Sequence, residues 1–229
     1  MKSNLILLSI LCVSLFSCVK KDDPIDTNAS SNAKVTFSNF VGSQPLTLQT
    51  KWYNNANGDS FKVNVYKYYI TNVKLIKSDN SVYTENESYH LINEADASSH
   101  SFVMANVPEG NYTSISFLIG VDSARNTSGA QTGALDPING MFWTWQSGYI
   151  HLKLEGTFFK TGRPKTALEF HLGGYRWPNA TLIDKQVDIK SDKIIEDIQL
   201  NEFLKHLNAG VSTKIMSPGP LAKQVFNAF

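Results

Sequence analysis

Hydrophobic and polar residues alternate with a period of two along most of the chain after Lys34. The alternating segments are 35–37, 46–52, 61–65, 113–119, 149–154, 167–172 and 187–189. Because successive side chains of a strand point to opposite faces of a sheet, this period predicts strands that are buried on one face. No strand–helix repeat is present, which argues against a parallel α/β fold. We therefore predict one all-β domain over residues 34–229, either an antiparallel β-sandwich or a Greek-key barrel.

Helical periodicity is confined to the C-terminal part of the chain. Asn201 is a suitable N-cap for a helix over 202–207, and Ser217 with Pro218 is a suitable start for a second helix. The apolar face of the second helix would consist of Leu221, Val225 and Phe226. We expect one or two short C-terminal helices that flank the β core.

The first residues have the composition of an export signal. Lys2 is followed by an apolar run, 5–16, which is shorter than the roughly 20 residues that a permanent membrane helix needs. The end of this run, Leu15-Phe16-Ser17-Cys18, resembles a bacterial lipobox. This resemblance predicts a signal peptide over residues 1–17 and acylation of Cys18. An ordinary signal peptide followed by a chance cysteine is the alternative.

The segment after Cys18 is polar and rich in small residues. Its Lys20-Lys21-Asp22-Asp23 run resembles the charged tag that directs some Gram-negative lipoproteins to the cell surface. We interpret residues 18–33 as a flexible tether between the lipid anchor and the β domain. The expected location is the outer membrane, on the cell surface or on the periplasmic face, because several acyl chains anchor a protein stably.

Composition excludes several classes of protein. The 229 residues are 42% hydrophobic and 11% aromatic, which is enough apolar surface for a folded core. The net charge of +1 provides no basis for nucleic-acid binding. The two cysteines, Cys12 and Cys18, both precede the β domain, so that domain has no disulfide, thiol nucleophile or cysteine zinc site.

The segment 120–140 is a long loop with repeated glycines, and loops of this length in a compact domain tend to be functional or disordered. It leads into the aromatic run Met141-Phe142-Trp143-Thr144-Trp145, which ends at Gly148-Tyr149. So much aromatic side-chain mass beside the loop predicts that the loop is ordered and packs onto the body of the domain.

Two histidines lie beside this loop, each alternating with the apolar residues of its strand. The turn candidate 160–165 predicts a hairpin in which His151 lies opposite His171. Opposed side chains have Cβ atoms about 4.5–5.5 Å apart, close enough for two imidazoles to share a metal ion. Two solvent-facing strand residues are the alternative, and a one-residue change in the turn would place the histidines on opposite faces.

Few other residues of the sequence form a pattern typical of a metal site or a catalytic site. Asp122, Asp136 and Glu155 are candidate carboxylate ligands or bases, and Asp122 and Asp136 could also support metal ligands without binding the metal. Isolated acids beside loops, however, are commonly solvated or cap turns. His90, His100 and His206 have no partner at metal-ligand spacing. No HExxH, phosphate-binding glycine loop or GxSxG motif is present, and no nucleophile is paired with a base. We therefore expect a protein that is not an enzyme.

Three segments together resemble the MbnP family of periplasmic or surface copper-binding proteins, named after methanobactin operons. The segments are 119–137, the Met-Phe-Trp-x-Trp-x-x-Gly-Tyr run 140–149 and Phe170-His171-Leu172-Gly173-Gly174. The resemblance extends over most of 34–229 and includes Ile215-Met216-Ser217-Pro218-Gly219.

The resemblance implies a β-sandwich that binds copper through histidines and a kynurenine, which a di-haem enzyme of the cytochrome c peroxidase class makes from tryptophan. Carried over by position, His171 matches a family histidine, and Trp143 or Trp145 matches the tryptophan. Relatives from methanobactin operons have an Asn-His pair where this chain has 125–128. Either His151 substitutes for the missing ligand, or the site is lost or remodelled. Two functions follow: a lipid-anchored copper-binding protein, or a metal-free surface lipoprotein with a binding or structural role.

Overall fold

The computed structural model describes residues 30–55, 57–144, 147–189, 194–199 and 212–228, with the backbone alone at 144 and 194–199. The predicted signal peptide, Cys18 and most of the tether lie outside the described residues. Trp145, His206 and the predicted helix over 202–207 lie outside them as well. No helix in the described ranges has the length and apolar character needed to cross a membrane.

The described residues form a succession of strands and two short helices. The strands are β1 (Ser30–Val41), β2 (Gln44–Pro45), β3 (Tyr53–Asn54), β4 (Ser60–Lys77), β5 (Val82–Thr84), β6 (Tyr89–Asn93), β7 (Ser101–Pro108), β8 (Tyr112–Ile119), β9 (Phe142–Thr144), β10 (Gly148–Phe159), β11 (Thr166–Gly173), β12 (Ile183–Asp188), β13 (Ile194–Gln199) and β14 (Lys214–Ile215). The helices are α1 (Ser123–Thr127) and α2 (Pro220–Phe226).

The strands form two curled sheets that pack as a sandwich. The smaller sheet has the order β13-β1-β2, with β7 also paired to β1. The larger has the order β12-β8-β4-β10-β11-β14, with β3, β5 and β6 paired to β4 and β9 paired to β10. Most pairs are antiparallel, whereas β1 with β13 and β11 with β14 are parallel. The prediction of an all-β sandwich with a short C-terminal helix is confirmed.

The main core lies between the two sheets, and Phe37 of β1 is at its centre. Its ring meets Tyr68 and Phe117 of the larger sheet edge-on, at centroid distances of 6.4 and 5.5 Å. It also stacks on Phe102 of β7 at 6.1 Å. Edge-on and offset aromatic pairs contribute about 0.5–1.5 kcal/mol each beyond the area that they bury. Aromatic packing therefore links the two sheets.

A second, smaller apolar cluster lies on the outer face of the larger sheet. Its fully buried members are Tyr69, Val121, Leu135, Met141, Tyr149 and Ile150. The segment 120–140 covers this face, and the Tyr149 hydroxyl fastens it by donating to Leu135 O at 2.9 Å and accepting from Gln131 N at 3.1 Å. The prediction that the glycine-containing loop packs onto the domain is confirmed.

Two local predictions differ from the structure. The alternation over 46–52 does not form a strand, because Gln49 has a positive φ of 65° and Thr50 N donates to Leu48 O in a tight turn. Helix α2 begins at Pro220, not at Ser217. It buries Val225 and Phe226 as predicted, but leaves Leu221 36% exposed.

Gly156 provides a test of the strand packing. A Cβ on Gly156 would lie 2.0 Å from the backbone oxygen of Lys62, where β10 has a bulge against β4. We expect Gly156→Ala to lower the free energy of unfolding by about 1–3 kcal/mol, because the backbone must move. Gly219→Ala, where nothing lies within 4 Å, is the matched control and should change it by under about 0.5 kcal/mol. Urea unfolding measures both, and equal shifts would contradict the argument.

Candidate functional site

The β10–β11 hairpin forms as predicted, but its register differs from the predicted one. His171 lies opposite Lys153, not opposite His151. Ile150 pairs with Gly173 and Leu152 with Leu172, so His151 is an extra residue in a β-bulge. A bulge reverses the alternation of side chains on the bulged strand. The prediction that the two histidines face each other is therefore wrong.

His151 is fully buried and both of its ring nitrogens are engaged. Nδ1 donates to Thr181 O at 2.7 Å, and Nε2 lies 3.4 Å from the side-chain amide nitrogen of Asn126. The ring packs against Phe226 of the main core and over Gly120, where a Cβ would come within 3.0 Å of Nδ1. Burial lowers the pKa of His151 to about 4, so the ring is neutral at pH 7.

Asn126 connects this histidine to the loop. Its Oδ1 accepts from Tyr149 N at 2.8 Å, and its Nδ2 donates to Val121 O and Asp122 O at 2.5 and 3.0 Å. A Cβ at Gly148 would lie 2.2 Å from Asn126 Oδ1, so the amide needs a glycine there. Asn126 was not predicted as a functional residue, because an asparagine in a polar loop carries no periodic signal.

The two candidate aspartates serve as caps. Asp122 Oδ1 accepts from Arg125 N at 3.1 Å at the start of α1, and its Oδ2 accepts from the Tyr89 hydroxyl at 2.7 Å. Burial alone would raise the pKa of Asp122, but these hydrogen bonds outweigh it and lower the pKa. Asp136 accepts from Ile138 N at 2.9 Å in a short 3₁₀ turn. Both carboxylates thus stabilise the loop.

His171 forms a pair with Glu155 on the outer face of the larger sheet. His171 Nε2 lies 2.7 Å from Glu155 Oε1, and the imidazole side chain is only 11% exposed. Burial lowers the pKa of His171, and together with the charge of Lys153 it outweighs the hydrogen bond to Glu155, which raises that pKa. Burial alone would raise the pKa of Glu155, but the His171 hydrogen bond and Lys153 together lower it. The pair is therefore a neutral imidazole and an ionised carboxylate at neutral pH.

This protonation state determines which ring nitrogen of His171 has a free lone pair. A carboxylate can only accept, so Nε2 carries the hydrogen and Nδ1 carries the lone pair. Within the described part of the chain, His171 Nδ1 makes no hydrogen bond. A histidine that donates one N–H to a carboxylate and leaves the other nitrogen open is arranged as metal-binding histidines are.

Two lysines border the pair and hold the end of the loop. Lys67 and Lys153 lie opposite each other on β4 and β10, and they donate to Asn139 O and Gly140 O at 3.0 and 2.9 Å. Burial and the charge of Lys153 lower the pKa of Lys67. With Glu155, these residues line an open cleft of about 460 Å³.

Trp143 lies at the other side of His171. A Cβ on Gly173 would lie 2.9 Å from Trp143 Cζ3, so the indole covers Gly173. Gly173 and His171 are two residues apart on β11 and therefore share one face. The structure thus brings His171, Glu155 and Trp143 to one face, and it excludes His151 from this group.

Comparisons with known proteins agree with this fold. A model of the MbnP family matches residues 30–215. This chain belongs to the MbnP family. The solved structure of MbnP from Methylosinus trichosporium has a TM-score of 0.57 at 13% identity, over 77% of this chain and 78% of that chain. At this identity the likeness shows a shared fold. No curated protein gives a match.

The donors of this MbnP-family chain fit a copper site in part. His171 supplies one neutral imidazole nitrogen, and imidazole suits copper. Among the described residues, no three His, Cys, Asp or Glu side chains lie close enough to hold a metal ion. Trp145 lies outside the described ranges.

His90 and His100, two further described histidines, each lie beside a carboxylate. His90 Nε2 lies 2.8 Å from Glu85, and the His90 ring stacks on Phe102 at 3.5 Å. His100 Nε2 lies 3.5 Å from Glu94. His90 therefore provides a matched control for His171 in experiments.

The buried His151 predicts a pH dependence of stability. Its pKa is about 4 in the folded protein and about 6.5 when unfolded, so the unfolded chain binds the proton first. Stability should therefore fall as the pH drops from 6.5 to 4, by at most about 3 kcal/mol from this group. His151→Asn keeps a donor near Thr181 O but cannot be protonated, so its curve should be flatter. Urea unfolding at several pH values measures this, and parallel curves for both proteins would contradict it.

Proposed function

We propose that this chain is a lipid-anchored, extracytoplasmic copper-binding protein of the MbnP type. The observation that carries the proposal is the Glu155–His171 pair, which leaves Nδ1 of a neutral, nearly buried imidazole without a hydrogen-bond partner among the described residues. The proposed anchor is the acylated Cys18, and the proposed location is the outer membrane. Copper, when bound, would provide a redox-active cation beside the indole of Trp143.

Each residue of the site has a distinct role in this proposal. His171 binds through Nδ1, and Glu155 orients the ring and keeps it in the Nε2–H tautomer. Lys153 lies 3.6 Å from Glu155 and keeps that carboxylate ionised. Trp143 covers Gly173 and restricts access of water from that side. His151 has no ligand role, because both of its nitrogens are used within the fold.

Copper measurements on the mature full-length protein test this proposal. We expect about one copper per chain at micromolar concentration, and loss of that copper in His171→Ala, because the imidazole donor is removed. Glu155→Gln should weaken the copper affinity by about 10–100-fold, since loss of the carboxylate that orients a metal-binding histidine has an effect of that size. Elemental analysis and competition with a chelator provide the readouts.

His90→Ala is the matched control, since it removes an imidazole that is also paired with a carboxylate. It should retain copper. Full copper retention by His171→Ala, or no copper in the unmodified protein, would overturn the proposal.

The family resemblance also implies a modified tryptophan, and we include this in the proposal. Conversion of Trp143 or Trp145 to kynurenine removes one carbon as formate and leaves one additional oxygen on the residue, a mass increase of about 4 Da. Dioxygen or peroxide would supply the oxidising equivalents, and a di-haem partner of the cytochrome c peroxidase class would catalyse the reaction. Mass spectrometry of the peptide that contains both tryptophans, from the native organism, should show this change. The unmodified mass in copper-loaded protein would contradict it.

A metal-free surface lipoprotein on the same scaffold is the second candidate. It is favoured by the absence of three clustered metal-ligating side chains in the described ranges. It also predicts a packing role for Trp143, which agrees with its position against the smaller apolar cluster. Its expectation of a solvent-exposed His151 is wrong, because that ring is fully buried.

A further inference from the structure

A basic and aromatic surface lies at the tip of the β10–β11 hairpin. Trp52 is 40% exposed, and the ammonium groups of Lys62 and Lys165 lie 5.6 and 5.0 Å from its ring centroid. Lys51 lies next to it, over the Tyr53 ring at 5.2 Å. We call the group of Trp52, Lys62 and Lys165 the Trp52 surface.

The hairpin turn adds positive charge to the same end of the molecule. Arg163 N donates to Lys160 O at 2.9 Å, which closes a turn that carries two more cations, and the Arg163 side chain is exposed. Asp59, in the adjoining turn before β4, is buried and does not present its carboxylate to solvent. The whole chain has a net charge of only +1, so the positive charge at this end of the molecule is not a property of the chain as a whole.

We propose that the Trp52 surface is a docking site for an acidic polypeptide segment of a partner protein. An exposed tryptophan ringed by cations has the composition of an interface hot spot, and surface charges of one sign steer an oppositely charged partner. The proposal is independent of copper, because none of these residues belongs to the His171 group.

The chemistry of the surface favours carboxylates over stacked sugar rings. The ammonium groups lie over the indole, so a sugar that stacks on the ring would displace them, whereas carboxylates would bind them directly. Each ammonium lies within 5.6 Å of the same centroid, so the two are at most about 11 Å apart. Same-face side chains of an extended peptide repeat at about 7 Å, which lets neighbouring carboxylates reach both cations.

The Trp52 surface and the start of β1 lie at different ends of β4. Phe61 of β4 pairs with Tyr53 at the Trp52 end, while Leu75 of β4 lines a cleft with Ser31 of β1 at the other end. Phe61 and Leu75 are fourteen positions apart on β4, which would be roughly 45 Å if the strand were fully extended. Ser31, near the start of the described chain, therefore lies at the end of β4 away from the Trp52 surface.

The same geometry places the docked segment near the candidate site. Lys62 pairs with Thr157, which pairs with Ala167, and Ala167 shares one face of β11 with His171. Ala167 and His171 are four positions apart on β11, which is roughly 13 Å. A partner held at the Trp52 surface would thus cover the face that carries His171.

Binding of labelled poly-L-glutamate to the mature full-length protein tests the proposal. We expect Lys62→Gln/Lys165→Gln to weaken binding about tenfold at low salt, since each exposed ion pair contributes modestly. Lys62→Arg/Lys165→Arg should retain binding, because the charge remains. Lys74→Gln/Lys185→Gln is the matched control, since it removes the same charge from a different cleft and should bind as the unmodified protein does.

Fluorescence anisotropy gives the affinities, and urea unfolding checks that each variant is folded. Equal weakening in the control pair would show unspecific charge attraction and overturn the proposal. Tighter binding to dextran sulfate, or to vesicles that contain phosphatidylglycerol, would also overturn it, since the occupant would then be a polysaccharide or a membrane.

Discussion

The hydrogen-bonded group of His151, Asn126 and Thr181 is the constraint on which the outer face of the domain depends. It lies where β10 has one residue more than β11, and it ties that bulge to the loop before β9 and to the segment before β12. A buried polar group without partners costs about 1–3 kcal/mol, so each member depends on the others. Loss of Asn126 would release Tyr149 N and the carbonyls of Val121 and Asp122 together.

This constraint explains why the larger sheet is buried on both faces over part of its length. Tyr68 belongs to the main core and Tyr69 to the smaller cluster, so consecutive residues of β4 are buried on opposite sides. The loop that Asn126 organises supplies Val121, Leu135 and Met141 to cover Tyr69. Where that cover ends, the face opens into the cleft that Lys67, Lys153 and Glu155 line.

The strands were predictable because alternation is a local property of the sequence. The pairing of β10 with β11 also followed from the turn at 160–165, and the family resemblance followed from the Met-Phe-Trp run. The register was not predictable. A bulge at His151 depends on contacts with Asn126 and Thr181, which come from distant parts of the chain, and a period-two pattern assigns the wrong face to every residue beyond it.

The carboxylate partner of His171 was within reach of the sequence. Lys153 and Glu155 alternate with the core residues Leu152 and Leu154, so their position on the outer face is a direct consequence of the period. Only the register decides that Glu155, and not His151, approaches His171. The lysines around Trp52 come from β4 and from the β10–β11 turn, and no hydrophobic pattern brings these separate segments together.

The two strand histidines show that burial alone does not identify a functional imidazole. Burial lowers the pKa of both, so both are neutral at neutral pH. They differ in whether a ring nitrogen remains without a hydrogen-bond partner among the described residues. His151 donates from Nδ1 to a carbonyl and has Asn126 at Nε2, whereas His171 uses Nε2 alone. A neutral imidazole that donates from Nε2 retains a lone pair on Nδ1. A metal cation can accept that lone pair directly.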